Sequence, residues 1–173
     1  MSRKFNLRQF QTDLSKRIQA AAQAPAQATR LGFQAAGVNW LVPLDEVDEV
    51  LPLPEIVATP GAQRWFRGMT NIRGNLYAVT DLSDFLAGTP TPESGDSRLL
   101  LVHHKHGVNA ALIIQRSLGL RQISQFEKLA QKPQWDCGQA SFQESTGSTW
   151  IEIDLPRLLA NTAFLSVEAQ QSF

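Results

Sequence analysis

A single cysteine, Cys137, stands among 173 residues, so no internal disulfide can close, and a reducing compartment suits the chain. No apolar run approaches the roughly 20 residues of a membrane span, and the opening MSRKFNLRQF contains no secretory apolar core. A cytoplasmic protein with no direct membrane insertion is therefore expected. The dipeptide Gly-Lys does not occur, which excludes a phosphate-binding P-loop, and the GxGxxG dinucleotide fingerprint is missing as well. Net charge is zero, so the sum supplies no general attraction to nucleic acid or anionic lipid. Cys137 has no histidine that the sequence assigns to it as a base. His103, His104 and His106 cluster, but neighbours on a strand point to opposite faces, so His103 and His104 are not expected to share an ion. A polar hairpin tip is the plainer reading. No catalytic residue, metal or cofactor is assigned, and an enzyme is not expected.

What the chain does contain is enough apolar material for a core. It is 43% apolar and only 18% charged, which suits one domain or two small ones packed closely. Its charge is segregated. Residues 1–30 carry six Lys and Arg against Asp13 alone, whereas residues 31–60 carry Asp45, Glu46, Asp48, Glu49 and Glu55 with no cation.

Leu7, Phe10, Leu14, Ile18 and Ala21 recur at helical spacing, so residues 7–22 read as an amphipathic helix with Asn6 as its N-cap. The stretch Gln23–Thr29, with Pro25, reads as linker. Short strands at 8–12 residue intervals follow, the pattern of a mostly-β barrel. One strand turns at Ala36-Gly37 into Asn39–Pro43. The run Asp45–Leu51 reads as a helix with Val47, Val50 and Leu51 on one face and four carboxylates on the rest. Gly61 and Gly68 mark turns, and Gly74-Asn75 is expected to form a type II′ hairpin turn. Asp81 is placed to cap a short helix over Leu82–Leu86. The polar GTPTPESGDS, Gly88–Ser97, is a break. Leu99–His103 pairs with Val108–Ile114, Ala140–Glu144 pairs with Thr149–Ile153, Phe126–Cys137 is irregular, and Leu155–Asn161 closes as a helix. Gly37-Val38-Asn39 and Gly107-Val108-Asn109 echo one another, where related barrels would show kinship.

Two constellations bear on function. Arg73 offers a guanidinium fork that could hold Glu49 bidentately; local sequence leaves this pair and two separately solvated charges equally open. Trp65 and Phe66 read either as a partner anchor or as the cover of their own barrel end, while Trp40 belongs to the core. Met69, Leu76 and Val79 are read as interior, with an exposed strip on one hairpin face as the alternative.

The segment RGMTNIRGNLYAVTDLSDFL, together with LDEVDEVLPLPEI, RLLLVHHKHGVNAALIIQ and STWIEIDLPRLL, resembles the CheW-like domain family over roughly residues 30–165. The leading helix and the ending TAFLSV make it most similar to the members that serve type IV pilus systems. The resemblance implies two five-stranded SH3-like barrels packed together, one over roughly 31–87 and one over roughly 98–165 with some strand exchange, joined by a linker at 88–97. Residues 1–29 would be a helix and linker, and 166–173 a tail. It implies an adaptor whose partners are a histidine kinase with a homologous CheW-like regulatory domain and the hairpin tip of a methyl-accepting chemoreceptor. The residues expected to meet them are Asp45, Val47, Asp48, Glu49, Trp65, Met69, Asn71, Arg73 and Asn75, with Glu49 and Arg73 as a structural ion pair. The chain departs from the family at Leu112-Ile113-Ile114-Gln115, where an Asp-bearing VVD-like run is common. Flagellar chemotaxis is the alternative circuit, and a small-ligand-binding β-barrel protein is the rival class.

Overall fold

The computed structural model describes residues 29–169; the helix expected over 7–22 lies outside them. Eleven strands build two sheets. β1 (Thr29–Ala35) and β2 (Val38–Pro43) form a hairpin, β3 (Val47–Pro52) stands apart, and β4 (Phe66–Ile72) and β5 (Asn75–Asp81) form the next hairpin. A helix α1 (Leu82–Ala87) precedes the hairpin β6 (Arg98–Val102) and β7 (Ala110–Ile114). Then come β8 (Arg116–Gln122), β9 (Phe126–Leu129), the hairpin β10 (Gly138–Glu144) and β11 (Thr149–Ile153), and helices α2 (Leu155–Leu159) and α3 (Thr162–Leu165).

Strands are exchanged between the ranges 31–87 and 98–165. The six-stranded sheet runs β8-β1-β2-β11-β10-β9 and the five-stranded sheet runs β3-β6-β7-β5-β4. Each sheet thus contains a hairpin from the other half of the chain: β1–β2 joins the C-terminal strands, and β6–β7 joins the N-terminal ones. Each inserted hairpin makes one parallel join, β2 on β11 and β7 on β5, and one antiparallel join, β1 on β8 and β6 on β3. The same order of parts recurs around each join, ending in an Asp-capped helix. Asp81 Oδ1 accepts from Asp84 N at the start of DLSDFL, and Asp154 Oδ1 accepts from Arg157 N at the start of DLPRLL. Side-chain capping of free N-terminal amides explains why both helices begin at an Asp.

Hydrophobic patterning explains the layers. Strands β6 and β7 read RLLLV and AALII and are buried on both faces, as strands covered on two sides must be. Leu100, Val102, Leu112 and Ile114 face a central layer, where they meet Phe33, Trp40 and Val42 from the other sheet and Leu155 and Leu158 from α2. Leu99, Leu101, Ala111 and Ile113 face the interior of the five-stranded sheet with Val79. Leu41, Ala140, Phe142 and Trp150 fill the six-stranded one. Trp40 is fully buried, as expected, and donates its Nε1–H to Ala35 O.

Three local expectations are corrected. Asp45–Leu51 is not a helix: a short 3₁₀ turn, Leu44–Glu46, runs into strand β3. The four-carboxylate pattern suits a helix wheel, but Val47 and Val50 share a face for another reason, a bulge at Asp48 where two residues oppose one on β6. The hairpin turn is Arg73-Gly74, not Gly74-Asn75: Ile72 pairs with Asn75, and both central residues have positive φ, 52° and 88°, the signature of type I′ rather than II′. β8 and β9 were not anticipated, because β8 is mostly polar and exposed at a sheet edge and β9 has only four residues. Among the described residues, no helix is long and apolar enough to cross a membrane.

Candidate functional site

Strand β3 lies at the edge of the five-stranded sheet, and the acidic residues on it and in the turn before it are neutralised by partners distant in sequence. Lys105 Nζ lies 2.9 Å from Asp45 Oδ2 and 2.7 Å from Glu46 Oε1. The hydrogen bond from Lys105 holds the Asp45 carboxyl below its usual range, against some desolvation. Glu46 Oε2 also meets His106 Nε2 at 2.5 Å. The bulge turns Asp48 toward the β6–β7 turn, where its Oδ2 accepts from His104 N at 2.9 Å and its Oδ1 lies 3.0 Å from His104 Nδ1. Partial desolvation pushes the Asp48 carboxyl up, but the His104 side-chain and backbone hydrogen bonds outweigh it and hold it low.

Glu49 and Arg73 form the bidentate pair, Nη1 to Oε2 at 2.7 Å and Nη2 to Oε1 at 2.9 Å. The Arg73 side chain is 73% exposed and that of Glu49 33%, so this is a surface brace and not a buried charge pair. The pair ties β3 to the tip of the β4–β5 hairpin, and Asn71 Oδ1 secures the same tip by accepting from Gly74 N at 2.8 Å. Asn75 is exposed and opens β5 beside it.

Below that tip lies an apolar strip. Pro54, Glu55, Val57, Met69, Asn71 and Leu76 line a groove, in which Val57 is 68% and Leu76 58% exposed. Leu76 was expected inside; it points out because β5 alternates and the tip of the hairpin overhangs the sheet. The strip exists because the chain after β3 folds back on β4. Val57 and Met69 exchange both backbone hydrogen bonds, at 2.8 and 2.9 Å. Gly68 makes that approach possible: at φ 120° it has no Cβ, and one added there would sit on the Val57 carbonyl oxygen. Gly61, at φ 74°, accepts from Ala169 N at 2.9 Å and so ties its turn to the end of the described chain.

The structure therefore gathers Glu49, Met69, Asn71 and Arg73 around the hairpin tip, while Asn75, opposite Ile72 in the ladder, lies on the other face of the hairpin. Asp45 and Asp48 turn away to the β6–β7 turn, and Val47 packs half-buried on the central core. Trp65 also lies elsewhere: its ring packs against Phe85 at 5.2 Å and stacks on Phe164 at 5.9 Å, so it covers a barrel end. Sequence reading missed Lys105 and the histidines as partners of the acidic run. Both halves of the signal were visible, an uncompensated acidic segment and an HHKH cluster, but their match needs β3 beside β6. The opposite-face argument for His103 and His104 fails as well. Strand β6 ends at Val102, His104 opens a 3₁₀ turn, and the two rings stack at 4.2 Å with 24° between planes. At the family departure, Gln115 N donates to Gln34 O and its Oε1 accepts from Gly37 N, holding the β1–β2 turn in place.

Two interleaved β-sheets that display a braced apolar strip make a protein-docking module. The chain belongs to the CheW-like domain family, whose model matches residues 30–163; its members are scaffold and adaptor proteins. It is 33% identical over 122 residues to the protein PilI of Pseudomonas aeruginosa, covering 66% of this chain and 68% of that one. The fold is similar to that of the scaffolding protein TtCheW from Thermoanaerobacter tengcongensis, with a TM-score of 0.66 at 20% identity, covering 79% of this chain and 95% of that one.

Proposed function

We propose that this protein couples a methyl-accepting chemoreceptor to a chemosensory histidine kinase in the cytoplasm, at receptor arrays on the inner membrane, and so controls type IV pilus twitching motility. The identity to PilI supports the pilus circuit over the flagellar one. The exposed Val57–Leu76 strip carries the docking reading, because an apolar groove on a folded surface gains most when a partner covers it. In this reading the β4–β5 hairpin, with Met69 and Asn71 in the groove and Glu49, Arg73 and Asn75 at its tip, meets the homologous CheW-like domain of the kinase. Asp45, Val47, Asp48 and Trp65 lie off that face and contribute by holding the fold that presents it. The receptor hairpin tip occupies the groove between the two sheets. Each contact buries on the order of 1,000–1,600 Å², and repetition in an array raises the weak single affinities. The adaptor makes and breaks no bond; it fixes the geometry in which receptor conformation reaches the kinase. A ligand-binding barrel would need an enclosed pocket, whereas the Val57–Leu76 groove and the depression beside Gly37 and Trp135 are open.

Pull-down with the cognate kinase tests the reading. Leu76→Asp is expected to weaken capture about tenfold or more, and Arg73→Gln to weaken it by releasing the hairpin tip. Both variants should melt close to the wild type, since both side chains are exposed. Unchanged capture by the double variant overturns the assignment of this face.

A further inference from the structure

The β6–β7 turn carries all three histidines of the chain, and two of them converge on one carboxylate. His103 Nε2 lies 3.5 Å and His104 Nδ1 3.0 Å from Asp48 Oδ1, and the three donor atoms all lie within 4.8 Å of one another. We propose that Asp48, His103 and His104 form a binding site for a divalent transition-metal ion of the zinc or nickel type.

The donor chemistry selects that class. Two imidazoles and a carboxylate suit zinc, nickel, cobalt or copper, while calcium and magnesium favour sets made of oxygen alone. Metal–nitrogen bonds of about 2.0–2.1 Å place neighbouring donors about 3–3.5 Å apart in a tetrahedral site, and the two Asp48 contacts already lie at that spacing. The two imidazole nitrogens have to close on each other, and the ring stack has to open so that both ring planes pass through the ion; the 77% exposure of the His104 ring leaves it room to turn. The frame is held independently of any ion. Asp48 is fixed by the β3 bulge and by the His104 amide, and the His103 amide donates to Glu46 O at 2.9 Å. Nearby charges are already engaged: Lys105 pairs with Asp45 and Glu46, and His106 pairs with Glu46. The His104 ring is 77% exposed, which leaves the remaining coordination positions to water. A bound ion would pin edge strand β3 to the β6–β7 turn.

One hydrogen bond must change, and it supplies a signature. Lys105 N donates to His103 Nδ1 at 3.0 Å, so the proton of the neutral ring sits on Nε2. An ion bound at Nε2 moves that proton to Nδ1 and frees the Lys105 amide, which is exposed and turns to water.

The test uses the untagged full chain, stripped with EDTA and titrated with Zn²⁺ by calorimetry and with Co²⁺ by visible absorption. The rest of the chain holds no histidine, and its one cysteine is buried, so competing nitrogen and sulfur ligands are few. One ion per chain is expected, with ligand-field bands for Co²⁺ and a shift of the Lys105 amide resonance. At about a 100-fold excess of Zn²⁺ over the dissociation constant the melting temperature should rise by about 5–10 °C. Asp48→Asn and His104→Gln should each weaken binding at least about tenfold and melt like the wild type in EDTA, whereas His106→Gln should bind as the wild type does. Absence of one-equivalent binding at millimolar Zn²⁺, or a loss in His106→Gln equal to that in His104→Gln, overturns the proposal. A Lys105 amide that stays fixed through saturation overturns it too, even should a variant fail to fold.

Discussion

Replacing Asp81 by alanine should be among the most damaging single changes in this molecule, although Asp81 is nowhere near the docking strip. Its carboxylate is fully buried at the end of β5 and serves three elements. Oδ1 accepts from Asp84 N at 3.3 Å, capping α1, and from Thr91 Oγ1 at 2.7 Å, while Oδ2 accepts from Thr91 N at 2.9 Å. Arg67 approaches at 3.4 Å from β4, a contact long enough and exposed enough to add little. Losing the cap costs about 1 kcal/mol and the stranded Thr91 amide about 1–2 kcal/mol, while the Thr91 hydroxyl can turn to Ser83 Oγ at 3.0 Å, so Asp81→Ala should lose about 2–3 kcal/mol in urea unfolding. Asp81→Asn keeps the shape and one acceptor oxygen and should lose about 1–3 kcal/mol. Thr91→Val removes the hydroxyl partner, so a cycle of Asp81→Asn with Thr91→Val should show coupling well above the 0.5 kcal/mol scatter of independent sites. An Asp81→Ala loss under about 1 kcal/mol, or strict additivity in the cycle, refutes the network as described. Kinase capture by the folded fraction should be normal in these variants, the converse of Leu76→Asp.

Gly68→Ala should cost about 3 kcal/mol, because φ 120° and the collision with the Val57 carbonyl act together; denaturation measures the loss, and faster hydrogen exchange at Val57 and Met69 locates it. Cys137 is buried, and desolvation pushes its thiol up to about 11, so the folded state holds a proton that the unfolded state releases at ordinary thiol pH. Stability should therefore fall as pH rises from about 9 to about 11, by about 2 kcal/mol at most. The comparison is with Cys137→Ala, whose stability should fall less over that range, and equal slopes would refute the assignment. The native thiol should also resist alkylation at pH 8 that proceeds readily in urea.

Much of the architecture was legible because burial writes itself into composition. The runs LLLV and ALII marked a hairpin, and Asp81 before Leu82 announced a capped helix. The acidic run misled because VDEV satisfies a helical wheel and a bulged strand equally well; the register of β3 against β6 decides between them, and that is not local information. The hairpin was placed correctly, but its turn slid by one residue, since Asn-Gly-type statistics do not anticipate an arginine at φ 52° held by a glutamate 24 positions away. Side-chain chemistry left the Glu49–Arg73 pair open against two solvated charges, and only the family resemblance favoured it. The histidine cluster was out of reach, because its geometry follows from where β6 stops.

The crossing of the two leading hairpins bears on how the molecule comes apart. A protease that nicks the polar stretch between Gly88 and Ser97 severs the backbone, yet each product keeps two strands laddered into the other. The nicked protein should stay associated, and the two pieces expressed separately should each expose one torn sheet until they meet. The β2–β11 join pairs Asn39 with Trp150, so completion of the six-stranded sheet waits on the last third of the chain, a slow closure of a long loop during which the strip that serves recognition is one more sticky edge.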